Sequence, residues 1–268
     1  MEIKMPRKTK LDNLLRPITA NSGDMRAYYN ELTNLVDMLD KSVEKHLDNT
    51  LRLHSKLAQD ANPFSILKSK IVEISKKWVN QFNSIASKIA DKYVGKTLNN
   101  TDFSMEKALK DKGFEKKFTM TASVREIYNA SLTENVRLIK SIPHDYFDDV
   151  QRIIDEAFMN GWNYERTEEE LKKLYPKATN RCGLIARDQL RKLNSAVVRA
   201  RQLEMNIQEA IWVHTGRSKV PRPDHVNANG KAYDVKLGLK LYTGYTHPGQ
   251  LINCQCVSRS ILPITASK

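Results

Sequence analysis

Eight apolar side chains, Phe64, Leu67, Ile71, Ile74, Trp78, Phe82, Ile85 and Ile89, follow one another at steps of only three or four residues. At 3.6 residues per turn such steps keep every one of them on the same side of a helix, and no strand can hold them so. The chain is therefore committed to at least one long amphipathic helix that must cover an apolar stripe. Tyr28, Leu32, Val36, Leu39, Val43 and Leu47 form a second stripe of the same kind, over Asp24 to about Ser55. Asn62-Pro63 breaks the chain between them, because proline disfavours a helical predecessor. Two such helices fit an antiparallel hairpin that buries both stripes, or stripes that dock on partner helices.

Further along, Gly95 to about Asn100 reads as a polar loop, followed by a short helix from Ser104, as N-cap, to Lys110 and a stop at Gly113. Phe114 to Met120 reads as a short strand. Pro143 suits the first turn of a helix carrying Phe147, Val150, Ile154, Ala157 and Phe158 and ending at Gly161. Thr167 and Glu170 have capping-box spacing. A long helix from Ala178 to Met205 should face inward through Cys182, Ile185, Gln189, Leu193, Ala196, Ala200 and Leu203. After Asn206 the texture changes to short strand candidates: Ile211–Val213, Ala232–Val235, Leu239–Thr243 and Cys256–Leu262. Asn229-Gly230 between them is the preferred pair for a tight hairpin turn.

The fold class that follows is α+β, with a predominantly helical N-terminal and central region and a small β-rich C-terminal lobe. Four segments are expected: a flexible basic arm at 1–22, a helical region at 23–120, a central helical core at 121–206 and a basic β-rich lobe at 207–268. No apolar run approaches the length of a membrane span, and no apolar stretch follows the basic N-terminus as in a signal peptide. Three cysteines, an odd number, fit folding in a reducing cytosol better than a disulfide framework.

Charge adds a direction. The formal net charge is +13, and residues 207–268 hold eight Lys or Arg against three Asp or Glu. A surface of that sign is suited to a polyanion. Arg217, Lys219, Arg222 and Lys231 are the candidates for phosphate contact, with Tyr233, Tyr242 and Tyr245 near them for stacking. No helix-turn-helix or zinc-finger signature accompanies them, so any DNA contact should be independent of base sequence.

Cys254 and Cys256 are the one pair with metal-binding spacing. In a strand, residues i and i+2 project from the same face, so both sulfurs can converge on one ion. His225 offers a nitrogen, and Asp224, His214 or His247 a fourth ligand for a tetrahedral zinc. The competing reading is three buried structural side chains. A Cys254–Cys256 disulfide is disfavoured because so short a loop strains the bond. A Cys–His nucleophile lacks an orienting third group and an oxyanion hole. A two-metal nuclease needs several carboxylates, whereas this segment has only Glu209, Asp224 and Asp234.

The order of these features, Ile185-Ala186-Arg187-Asp188 on a basic helix, then Trp212, Arg222-Pro223-Asp224-His225, Asn229-Gly230, Pro248-Gly249 and Asn253-Cys254-Gln255-Cys256, resembles the phage head morphogenesis family of Mu F-like minor head proteins. The resemblance spans about residues 120–262. Trp212, Arg222, His225, Gly230, Asn253, Cys254 and Cys256 match. Gln255 stands where the family usually has a basic residue, and Asp188-Gln189 where it often has Thr-Glu. The resemblance implies a structural, non-catalytic virion protein of a tailed phage, made in the host cytoplasm and held at the portal inside the capsid. Its implied partners are the portal protein, coat or scaffolding protein, and double-stranded DNA, with no membrane, and its implied role lies in head morphogenesis, packaging or ejection. In that reading the N-terminal helices dock on protein. Trp212 is a core anchor with Gly230 and Asn253 in structural roles, Arg222 braces the loop before His225, and Asn253 bonds backbone at the entry to the cysteine strand. The alternative is a phage- or toxin-associated metal-dependent nuclease.

Overall fold

The computed structural model describes residues 13–54, 63–218, 220–242 and 244–263. Five helices come first: α1 (Ser22–His54), α2 (Pro63–Lys110), α3 (Ala122–Met159), α4 (Tyr164–Lys172) and α5 (Leu174–Glu204). A small β lobe follows: β1 (Glu209–Val213), the short helix α6 (Pro223–Asn227), β2 (Ala232–Asp234), β3 (Leu239–Leu241), β4 (Gly244–Thr246) and β5 (Val257–Ser260). The class is α+β. Among the described residues no helix is long and apolar enough to cross a membrane.

The chain forms two compact units, and each of the four long helices contributes residues to both. One, purely helical, comprises Arg26–Lys92 and Leu132–Ala186. Both sequence stripes are spent on its core: Tyr28 to Leu47 on α1 and Leu67 to Phe82 and Ile89 on α2 are buried, as are Ile139, Phe147, Val150 and Ile154 on α3. Phe64 lies outside the residues whose side chains are described. Polar cross-links set the helix directions. Tyr28 donates to buried Asn135 (2.9 Å), and Tyr146 to Asp40, so α1 and α3 run the same way. Lys68 pairs with Asp155 and Lys92 with Glu31, which makes α2 antiparallel to both.

The mixed unit comprises Met1–Met25, Tyr93–Ser131 and Arg187–Lys268. Its three-stranded sheet is antiparallel in the order β2-β1-β5, with Ala210 opposite Tyr233 and Trp212 opposite Ser258. β3 and β4 pair separately. Trp212 is wholly buried at the centre of a core with Leu15, Met105, Val198, Tyr233 and both cysteines. A buried ion pair locks the helices beneath: Arg201, 1% exposed, donates through Nε and Nη2 to both oxygens of Asp102 (2.9 and 2.7 Å). Its Nη1 reaches Thr119 O and Glu204, and its guanidinium covers the Phe118 ring.

Several local expectations yield to tertiary packing. Gly95 to Asn100 is not a loop: α2 runs unbroken to Lys110, because Val94, Thr97, Leu98 and Thr101 are all buried. Burial there outweighs weak helix propensity. Ser104 therefore caps nothing, and its carbonyl accepts from Arg16 instead. Pro143 lies inside α3 rather than at a helix start. α4 is capped by the Asn163 side chain, ahead of the Thr167 spacing. Phe114 to Met120 pairs with no strand; Phe118 N–H is satisfied by the Glu106 carboxylate. Phe158 and Leu203 are exposed, and at the end of α5 Gln202 turns inward to donate to Ser258 and Ser260. The described part of the expected arm, from residue 13, is anchored: Leu14, Leu15 and Ile18 are buried, and Leu15 N–H donates to Ser260 O (3.0 Å) beside β5. Residues 1–12 lie outside the described set.

Candidate functional site

The β lobe brings His225, Cys254 and Cys256 together, as their spacing suggested. His225 is carried by α6, whose Pro223 sits in the first turn where a missing N–H costs nothing. The cysteines lie in the irregular segment just before β5. All three are buried, and their ligand-capable atoms lie within 4.8 Å of one another. His225 Nδ1 is 3.4 Å from Cys254 Sγ and 3.7 Å from Cys256 Sγ, while its Nε2 is buried with no partner among the described residues. The ring stands edge-on to Trp212, with centroids 5.1 Å apart. Of the three further ligand candidates, only His214 is near, with Nδ1 3.5 Å from Cys256 Sγ. The Asp224 carboxylate accepts from the His225 backbone N–H. His247 is engaged elsewhere, between Arg199 and Val235 O.

The two thiols share their protons. The hydrogen bond from Cys256, joined by the Gly249 N–H, holds the Cys254 thiol well below its usual range despite burial. That same bond, together with burial, pushes the Cys256 thiol up. The pair thus gives up one proton readily and the second with difficulty. All three cysteines are free. Cys182, buried in the helical unit, is pushed up to about 12 by desolvation and is inert by comparison.

A buried carboxylate holds the cysteine loop in place. Asp188 on α5 is 5% exposed; one oxygen accepts from the Asn253 backbone N–H (2.8 Å) and the other pairs with Lys192 (2.8 Å). Asn253 itself adopts a left-handed conformation, φ 58°, which asparagine tolerates better than most residues. Its role is this backbone turn, together with the N–H it offers; its side chain is exposed. Gly249 is required twice over: its φ is +79°, and a Cβ there would lie 3.0 Å from Ser195 Cβ on α5. Gly230 needs only its positive φ, +80°, since nothing lies within 4 Å of an added Cβ. The Asn229-Gly230 turn ends α6 rather than closing a two-residue hairpin: β1 and β2 pair across the whole loop that contains α6. The Asn229 side chain accepts from His214 N–H (2.9 Å).

Around this cluster runs a basic surface. Arg217, Arg222 and Lys231 are exposed, and none is ion-paired among the described residues; Lys219 lies outside them. Arg222 donates to Ile252 O (3.1 Å), so it braces the cysteine loop rather than the loop before His225. Gln255 donates to Arg217 O (3.0 Å), and its carbonyl accepts from Thr215. A cavity of about 530 Å³ opens beside Cys254, lined among others by Arg191, Asn194, Ser195 and Arg217. Burial, and then the neighbouring Arg187 and Arg217, weaken the hold of Arg191 on its proton against the pull of Asp188. Positive charge is thus in excess here, and Arg187 and Arg191 extend the basic set beyond the four residues named from sequence.

Asp188 was the clearest omission. An acid on the inward side of a long helix, four residues before Lys192, was the available signal; which backbone N–H it would meet was not encoded locally.

Two comparisons match this chain, one over its C-terminal part and one over nearly its whole length. The sequence profile described as "Phage Mu protein F like protein" matches residues 148–259, from within α3 to β5. An uncharacterized protein of Haemophilus influenzae is 28% identical over 254 residues, covering 92% of this chain and 55% of that protein. The chain therefore spans about half the length of that relative. No solved structure matches.

Proposed function

We propose that this chain, whose residues 148–259 match the Phage Mu protein F like profile, is a minor head protein of a tailed phage, bound at the portal, packaged within the capsid and in contact with DNA. The observation that carries this reading is the position of the match: residues 148–259 include the β lobe, where Arg217, Arg222 and Lys231 face solvent without acidic partners among the described residues. Its role is structural, in head assembly, packaging or ejection. The carboxylates near the lobe are engaged in holding backbone: Asp188 holds Asn253, Asp224 accepts from His225 N–H, and Asp234 accepts from Lys236 and Leu237 N–H. A nuclease would need such groups free for metal ions.

Protein docking falls to the solvent-facing sides of α1 and α2, since their apolar stripes are used in the core. Coat or scaffolding protein is a further partner. Co-expression with the portal protein tests the reading: the chain should co-elute with the assembled ring in size exclusion. An assembled ring that leaves the folded chain behind in the monomer fraction would refute portal binding.

DNA contact makes a separate prediction. Affinity for duplex DNA should not depend on sequence and should fall steeply with salt, because each neutralised phosphate releases counterions. Reversing the charge of Arg217, Arg222 and Lys231 should flatten the log–log salt dependence by about 0.9 for each phosphate that is no longer neutralised. An unchanged slope would remove this face of the lobe from the DNA interface.

A further inference from the structure

We propose that His225, Cys254, Cys256 and His214 form a structural zinc site that ties α6 and the end of β1 to the cysteine loop.

Distances match first. With zinc–sulfur bonds of about 2.3 Å and zinc–nitrogen bonds of about 2.05 Å, a tetrahedral site places each sulfur about 3.6 Å from each nitrogen. The three contacts measured between these residues are 3.4, 3.7 and 3.5 Å. Two sulfurs and the His225 nitrogen at this spacing outline three corners of the coordination shell of one small ion, with His214 against the second sulfur. His225, Cys254 and Cys256 already converge as a group; His214 lies outside it and needs a turn of its half-buried ring to complete the fourth corner.

Hydrogen bonding points the same way. A buried imidazole ordinarily finds an oxygen for at least one nitrogen. Among the described residues, His225 Nδ1 has only two sulfurs, which are weak acceptors, and Nε2 has no partner. As a plain core residue this histidine would be poorly satisfied. As a ligand, Nδ1 exchanges a weak contact for a coordinate bond. Two thiolates and two neutral imidazoles around a divalent ion also leave no net charge in a buried place. Sulfur with nitrogen in a tetrahedron favours zinc over the hard, oxygen-seeking magnesium or calcium.

The surroundings suit a closed, structural site. Asp188 fixes the Asn253 N–H one residue before Cys254, and Gly249 N–H points at Cys254 Sγ (3.4 Å). Asn229 holds the His214 backbone. Such outer contacts orient ligands before the ion arrives. The site rests on geometry and hydrogen bonding and stands apart from the portal and DNA readings.

The test uses the full chain, purified from cells grown with added zinc. Elemental analysis should find about one zinc per chain, with less than about a tenth of that in Cys254→Ser. Replacement of the zinc by cobalt(II) should produce the ligand-field bands of a tetrahedral site together with sulfur-to-cobalt charge transfer. His214→Ala should weaken metal binding by more than about 100-fold, beyond the range usual for removing an outer-shell partner. Folded wild-type chain that holds no zinc and yields no tetrahedral cobalt spectrum overturns the site, a result that does not depend on whether any variant folds. Unchanged affinity and an unchanged cobalt spectrum in His214→Ala overturn the assignment of the fourth ligand.

Discussion

Trp212→Ala should lower the unfolding free energy by about 3–5 kcal/mol, the range for emptying a buried aromatic site. The indole is wholly buried and meets His225 and Tyr233 edge-on, at 5.1 and 6.2 Å between centroids. It stands on the central strand of the β2-β1-β5 sheet, so the surrounding core cannot close over the void without moving that sheet. Urea denaturation reads the loss. Hydrogen exchange locates it: protection should fall first in β1 and β5, while the helical unit of residues 26–92 and 132–186 stays protected. A loss below about 1 kcal/mol, typical of an ordinary substitution, would mean that the lobe is not organised around this side chain.

Arg201→Met should cost a similar amount, about 3–5 kcal/mol, for a different reason. Methionine fills much of the volume, so the penalty is electrostatic: Asp102 loses both of its bonds and Thr119 O loses its donor. Removing Asp102 as well should restore part of the loss, because the double variant no longer leaves an unpaired charge. A double-mutant cycle measures that recovery. Since Arg201 is 1% exposed, the coupling should persist in high salt, where exposed pairs such as Lys41–Asp37 are screened. Independent, additive effects of the two substitutions would show that the pair is not a unit.

Periodicity carried most of what was legible before the fold was known. Stripes at steps of three and four name the buried face of a helix wherever the helix lies, since burial of one face is a local property of 3.6-residue geometry. Tyr28 to Leu47 and Leu67 to Phe82 are buried accordingly. Residue chemistry, two cysteines two apart with a histidine upstream, was enough to nominate His225, Cys254 and Cys256, although the cysteines converge in the irregular segment before β5 rather than within a strand. The strand segments of the lobe were legible as short runs bounded by turn residues, apart from β4, which begins at Gly244.

Contacts between distant stretches had no such local code. Leu15 meets Ser260, and Arg259 donates to Leu15 O across a separation of 244 residues. Nothing in either stretch alone announces the other, and a segment that reads as a basic arm becomes an edge of the lobe. The same holds for Asp188 and Asn253, where a helix carboxylate finds a backbone N–H sixty-five residues away. It holds too for α2, whose Gly95-to-Asn100 stretch is helical only because neighbours bury it. The sequence by itself determined the buried faces of the long helices and the cysteine–histidine cluster, because each rests on spacing within one element or on residue chemistry. Only the tertiary structure decided which elements run through, which ends meet and which buried charges find partners, because those outcomes depend on burial by residues far away in the chain.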